Sequence, residues 1–541
     1  MILPYLLHRH KHGQMMKPQY PTLGDIAKAL FEHTGILPQK YDCSSIMSDE
    51  TMKKSIQTQL RRLAKEDGEL TANFMALVEL LAFSILEATG SLKVMYAFTN
   101  TIDDTLFQYK DFLRGDSTFL SKSDSIQWLL KNRLVDRMIL SYQKNILKHN
   151  VATELNISPS DKYWWLPDVQ GKSITWPIST VFNWMYDVTK TNQTRFHFPD
   201  YGFTDNYRLS QNLENASRWS TAKNLPSWAN LLQNLSDSLS AMEQTKSIAH
   251  KRSIDTKTRN CFRIILFLAR FSTSIFVELE KQYGVEFVSD LVNKLKKQDY
   301  RLNRIHSNFK NIVKEELSLH DVIDPMSIDR RWFDETQAFW ELKALEIEHN
   351  TSYICSTLTV ESSNTFSFND LKSCLTYLDA FALSPLIAQA KSDVRSLAPQ
   401  MYFELLSKGL ALRKNSELSK DLISQFINEI KVAGLDGSFL WLTNWMWGTY
   451  HYRRAEDNLA FPFYLDAFEN GKYSAGHNQY LLVNQFVECC AKNNKWRDFK
   501  RGIGWADYLG IKVRWYRGFD KSENPIKSAF EMLKIGRYAV L

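Results

Sequence analysis

Apolar residues recur along most of this chain at intervals of three and four, the spacing that gathers them on one side of a helix. Leu23, Ile26, Ala27, Leu30 and Phe31 form the first such stripe, and Gly35 follows as a stop signal. Longer stretches with the same period run through residues 70–88, 126–147, 254–283 and 285–317. From Met326 onward the pattern stays helical, interrupted by residues 351–367, whose Ser/Thr content predicts a loop or a short strand. Residues 151–205 break the rule. There Trp164-Trp165-Leu166-Pro167, Trp176-Pro177 and Phe196-His197-Phe198-Pro199-Asp200-Tyr201-Gly202 crowd aromatic rings with proline, which predicts an irregular, ring-packed connector.

The predicted fold is therefore mainly α, a multi-domain helical protein. A chain of 541 residues exceeds a single core, and low Gly and Pro contents (20 and 14) favour helices over turn-rich β structure. Four segments are expected: a helical N-terminal module over 1–150, the aromatic connector over 151–245, a basic helical region over 246–320 and a helical domain over 321–541. The apolar run 74–88 contains Glu79 and Glu87 and is too short to span a bilayer, and 264–276 is interrupted by Arg270. Both read as buried helices, and no membrane association is expected. Six scattered cysteines without a Cys-x-x-Cys pair, and no recognisable secretory signal, point to a reducing, cytoplasmic setting. The alternating His8, His10 and His12 read as a mobile tail, and neither metal nor other cofactor is expected.

Charge is unevenly spread. Residues 246–314 hold 15 Lys/Arg against 6 Asp/Glu, whereas 315–437 is acidic and the tail from 495 is basic again. Lys294, Lys296, Lys297, Arg301, Arg304, Lys310 and Lys314 fall on one predicted helix with Tyr300 and Phe309 interleaved. Such density suits phosphate neutralisation, or a solvated face paired with the acidic block.

Ala216-Ser217-Arg218-Trp219-Ser220-Thr221-Ala222-Lys223-Asn224-Leu225-Pro226-Ser227-Trp228, running on to Leu231-Leu232, resembles the second half of a lambda-repressor-type (Cro/XRE) helix-turn-helix, placed over 206–236. The resemblance implies that Ala216 and Trp219 face inward while Asn215, Ser217, Arg218 and Ser220 meet base edges, with Lys223 near a phosphate. Within the basic region, Arg301-Leu302-Asn303-Arg304-Ile305-His306 is similar to the R-x-x-x-x-H motif of HEPN ribonucleases. That likeness implies metal-independent RNA cleavage at a helical dimer interface, with Arg301 stabilising phosphate charge and His306 moving a proton.

Nearer the C-terminus, Gly448, Ala460, Tyr464 and Ala467 stand at the offsets of a tetratricopeptide-like hairpin, with Trp445 one place from its Trp and Lys472 in place of its closing Pro. Looser hairpins from 422 to 509 would bind a protein partner. Trp441, Trp445, Trp447, Tyr450 and Tyr452 read as core, or as a binding groove. Gly171-Lys172-Ser173 is no phosphate loop, since Leu166 occupies the first Gly position and no strand is expected before it. Cys489 and Cys490 read as packing residues. The expected function is non-catalytic nucleic-acid binding, DNA rather than RNA, by a bacterial regulator or accessory factor. The alternatives are a HEPN-like ribonuclease of growth arrest or phage defence acting through Arg301 and His306, and a helical interaction scaffold.

Overall fold

Thr22 opens the first helix, α1 (Leu23–Thr34), with a capping box: its hydroxyl accepts the Asp25 N–H at 3.1 Å while the Asp25 carboxylate accepts the Thr22 N–H at 2.9 Å. Gly35, at φ 70°, closes it as the sequence requires. The computed structural model of the chain describes residues 21–36, 50–64, 70–115, 129–197, 206–244, 253–318, 400–516 and 524–536. Outside these lie His8, His10 and His12, the predicted loop 351–367, most of the acidic stretch, and Cys43, Cys355 and Cys374. The side chains of His306, Phe309, Lys310 and Lys314 lie outside them too.

The described chain is mainly α-helical, with one small β-hairpin. After α1 come α2 (Glu50–Ala64), α3 (Leu70–Thr89), α4 (Leu92–Gly115), a π-turn over Leu129–Leu134 and α5 (Val135–Lys148). Helix α3 outruns the apolar stretch seen in sequence, and at 20 residues it is long and apolar enough to cross a membrane. One side of it packs inward, while Phe83 on the other is 62% exposed. Phe74, Leu77, Val78, Leu81, Ile85 and Ala88 are buried on the side that packs against α1, α2 and α4.

The connector is more regular than expected. Strand β1 (Asp168–Gln170) pairs antiparallel with β2 (Ser173–Thr175), so a strand does precede Gly171-Lys172-Ser173. Its partner follows at once, however, which makes Gly171-Lys172 a hairpin turn and not a strand-to-helix phosphate loop. Helix α6 (Pro177–Thr189) then starts on a proline at its first position and buries Ile178, Val181, Phe182 and Met185. The crowded aromatics had masked this period. The short α7 (Gln193–Phe196), α8 (Asn206–Ser220) and α9 (Trp228–Gln244) follow.

Helix α10 (Thr256–Ser318) is the central beam, and Gly284 (φ 84°, ψ 171°) breaks it into the two halves the sequence pattern predicts. It packs against α1, α3, α5 and α6, and its buried residues join theirs in one apolar cluster. The C-terminal helices are α11 (Gln400–Lys414), α12 (Lys420–Val432), α13 (Leu440–Arg453), α14 (Asp457–Gly471), α15 (Gln479–Lys492), α16 (Trp496–Leu509) and α17 (Pro525–Ile535). The α13/α14 and α15/α16 hairpins share one turn: Ala455 and Asn494 are left-handed, and the next N–H reaches back to His451 and Cys490 carbonyls. A Cβ on Gly448 would lie 3.2 Å from the Tyr464 ring, and one on Gly502 only 2.7 Å from Val487. The small residue thus sits on the first helix of one hairpin and on the second helix of the next. Trp441, Trp445 and Tyr452 are buried, which decides for core over groove at these rings. The array joins the N-terminal helices directly: Gln479 donates to the Leu113 carbonyl at 2.7 Å, Arg114 to the Tyr480 hydroxyl at 2.6 Å, and α16 packs on α3 and α4.

Arg270, on the first half of α10, is 4% exposed. Its Nε donates to the Pro226 carbonyl at 2.7 Å and its Nη1 to the His33 carbonyl at 2.6 Å. The guanidinium also fills the space a Cβ on Gly35 would need, at 2.1 Å. Burial brings its pKa down to about 10, still charged at neutral pH, and the C-terminal end of α1 is where a cation is favoured. Beside it, the His33 ring meets Ser274 at 2.8 Å. His197 is fully buried in a box of Phe182, Tyr186, Phe196 and Trp219 rings. Its Nδ1–H donates to Asn234 at 2.8 Å, and its Nε2 accepts the Tyr186 hydroxyl at 2.7 Å.

Two outcomes follow for stability. Arg270→Met strands two carbonyls and is expected to cost about 3 kcal/mol. Arg270→Lys should lose nearly as much, because one ammonium cannot reproduce the guanidinium fork. Thermal melts read this directly, and an unchanged midpoint in both variants contradicts the role. The second outcome concerns acid. Burial pushes His33 down to about 3, with Arg270 and Lys281 adding to the effect, and His197 down to about 4. Both titrate near 6.5 when unfolded, so unfolding takes up protons below that pH. Their stabilisation is complete above pH 6.5 and is lost as pH falls towards 4. For His197 the loss between pH 6.5 and 5 is about 2 kcal/mol. Melting temperature against pH should fall less steeply in His197→Gln.

Candidate nucleic-acid interface

The second half of α10 has two unlike sides. Leu291, Leu295, Gln298, Asp299 and Leu302 are buried. Lys294, Lys297, Arg301 and Arg304 recur at steps of three, four and three, which aligns them on the opposite side over about 15 Å of helix. Lys297 and Arg304 are exposed, and Lys294 and Arg301 are half-buried. Tyr300, between Lys297 and Arg304 on this side, is 67% exposed, a large accessible ring among cations. Asp290, one turn earlier on the same side, is neutralised by Lys131 at 2.6 Å.

Lys296 does not belong to that row. It turns towards the connector, where its ammonium and that of Lys162 flank the Tyr163 ring at 5.6 and 5.3 Å from the centroid. Lys162 also reaches Asp299, a buried carboxylate that accepts from Gln143 at 2.6 Å, from the Tyr163 hydroxyl at 3.1 Å and from this ammonium. Burial and this carboxylate together push the Tyr163 phenol up to about 12. The cluster fastens the connector to α5 and α10, and so fixes how the cationic side is presented. The one acid among seven Lys and Arg over residues 291–314 was its only trace in the sequence.

The helix-turn-helix residues are distributed differently. Ala216 and Trp219 are buried, Ser217, Arg218 and Lys223 are exposed, and Asn215 and Ser220 are half-buried. Arg218 lies in the last turn of α8, bound to Glu214 at 2.5 Å, and the Ser220 hydroxyl donates to the Ala216 carbonyl at 2.9 Å. A recognition helix meets bases with its N-terminal residues, so Arg218 stands at the opposite end from the one that docks. Among the described residues, the element before α8 is α7, only four residues long. Nor is the segment a free-standing unit: Arg270 holds the Pro226 carbonyl, and the buried Trp228 ring packs edge-on to Phe267 of α10 at 5.1 Å.

Arg301 and His306 share the final third of α10, with the His306 side chain outside the described residues. Among those residues no group of three His, Cys, Asp or Glu is arranged to hold a metal. Cys489 and Cys490 are buried, and burial pushes the Cys489 thiol up to about 12 and that of Cys490 well above its usual range, which suits packing and not nucleophilic chemistry. One buried cation escaped the sequence reading altogether. Arg413 of α11 lies 3.9 Å over the Trp445 ring, and burial brings its pKa down to about 10.

Compared with known proteins, the chain matches no family model, no curated protein and no solved structure.

Proposed function

We propose that this protein binds nucleic acid, without catalysis, through the solvent side of the second half of α10. The observation that carries this reading is the alignment of Lys294, Lys297, Arg301 and Arg304 on one side of a helix whose other side is buried. A helix anchored in a core cannot roll away from its ligand, so the cations stay in register with a phosphate backbone. The exposed Tyr300 adds a face on which a base can stack, which favours single-stranded nucleic acid over duplex. Recognition in this mode is by charge and stacking and carries little sequence information. Arg218 and Lys223 provide further exposed charge, and base reading through α8 is no part of the proposal.

Fluorescence anisotropy with a labelled oligothymidylate and a duplex of equal length tests this. Four phosphate contacts to a single strand predict a log–log salt slope of about −2.8, hence about a fifty-fold loss of affinity from 50 to 200 mM salt. The double variant Lys297→Glu/Arg304→Glu should bind at least about ten-fold more weakly with a visibly shallower slope. Tyr300→Ala should weaken single-strand binding by about five-fold or more while leaving the duplex nearly unchanged. These side chains are exposed, so melting temperatures should stay close to wild type. A flat salt dependence, or binding indifferent to the charge reversals, defeats the proposal.

A further inference from the structure

Beneath the cationic side, α4, α5, the 151–165 segment and both halves of α10 line a partly open cavity of about 180 Å³. Phe98, Ile139, Trp165, Phe271 and Leu295 typify its walls, and none of the lining residues carries a charge at neutral pH. The polar groups are few. The Thr101 hydroxyl donates to the Ala97 carbonyl at 2.7 Å and accepts from the Asn145 side chain at 3.2 Å, and that of Ser272 donates to the Trp165 carbonyl at 2.5 Å. The Tyr142 hydroxyl differs: it has no hydrogen-bond partner among the described residues. Tyr142 is half-buried and lines the cavity. Burial and the nearby Asp299 carboxylate raise its pKa, so the phenol remains a neutral donor at every physiological pH.

Protein interiors pack to crystal-like density, and a void of this size leaves its walls without contacts on one side. Aliphatic and aromatic side chains make up most of the wall, so water held against them would make few of the two to four hydrogen bonds an ordered water needs. Cavities of about 150 Å³ lined by aliphatic and aromatic groups accept a benzene ring. The walls exclude a charged ligand, which would forfeit its hydration without gaining a counter-ion. Phe98, Phe271, Phe276, Trp164 and Trp165 offer ring faces and edges for stacked or edge-on contact with another ring.

We propose that this cavity is a binding site for a small neutral aromatic molecule, of one or two fused rings, whose single hydrogen-bond acceptor meets the Tyr142 hydroxyl. The walls come from both sides of the Gly284 kink, with Phe271 and Ile275 before it and Leu291 and Leu295 after it, so an occupant bridges the two halves of α10. The proposal stands whether or not the cationic side binds nucleic acid.

Calorimetric titration of the full chain with acetophenone, toluene and benzoate is the test. Acetophenone should bind saturably, one per chain, and raise the melting temperature, toluene should bind more weakly, and benzoate should be at least ten-fold weaker than acetophenone. Tyr142→Phe keeps the ring and the cavity volume. It should weaken acetophenone about ten-fold and leave toluene unchanged. Ala97→Leu projects into the cavity and should abolish binding of both; should that variant not fold, Tyr142→Phe decides alone. No saturable binding of acetophenone or toluene to the wild type at millimolar concentration overturns the proposal. Equal acetophenone affinity in wild type and Tyr142→Phe does so too.

Discussion

A single buried guanidinium ties this structure together. Arg270 reaches from the central helix to the carbonyl that ends α1 and to the carbonyl that precedes α9, and it occupies the space left by the missing side chain of Gly35. A charge taken out of water is costly unless its donors are met. Here two carbonyls and the negative end of a helix meet them. Three distant parts of the chain therefore come to order together. The Trp228 N–H donating to the Gly35 carbonyl at 2.9 Å closes the same knot from the other side. The half-buried His33 lies beside Arg270 and the buried His197 under Trp219, near these junctions, which is why acid acts on the packing between elements.

Helix α10 then divides the work. Its first half is buried along most of its circumference, with Phe262, Ile265, Leu266, Phe267 and Ala269 at or near zero exposure. Past Gly284 the helix is amphipathic, and the outward side carries the cations and Tyr300. One glycine with positive φ separates a structural half from a surface half. The Asp299 cluster secures the surface half by binding it to the connector through Lys162 and Tyr163 and to α5 through Gln143. The cavity lies where the two halves and the connector meet.

The hairpins of the C-terminal array show complementary packing of another kind. Where Gly448 admits Tyr464, the following hairpin has Gly502 admitting Val487 and Phe486. Either arrangement satisfies the same close approach, so a period in structure need not appear as a period in residue type. The Gly-to-aromatic offsets that suggest a tetratricopeptide-like unit at 448–467 have no counterpart in register after it. The shared left-handed turn at Ala455 and Asn494 carries the periodicity instead, at residues with no evident common feature.

Local chemistry alone determined much of this protein: the predominance of helix, the bounds of α1 from Thr22 and Gly35, and the break of the long helix at Gly284. Each depends on neighbours within a turn or two, which a linear pattern records. The row of cations on α10 was legible for the same reason, since helical spacing is a property of sequence. Its separation from Lys296 was not, because only the connector folding across α10 gives that lysine a tyrosine ring to sit on. Tertiary structure likewise decided that Arg218 ends a helix instead of beginning one, that the aromatic connector holds a thirteen-residue helix, and that Arg270 and Asp299 are buried. Burial is set by what arrives from far along the chain, and the same charged residue reads identically in sequence whether it meets water or a carbonyl.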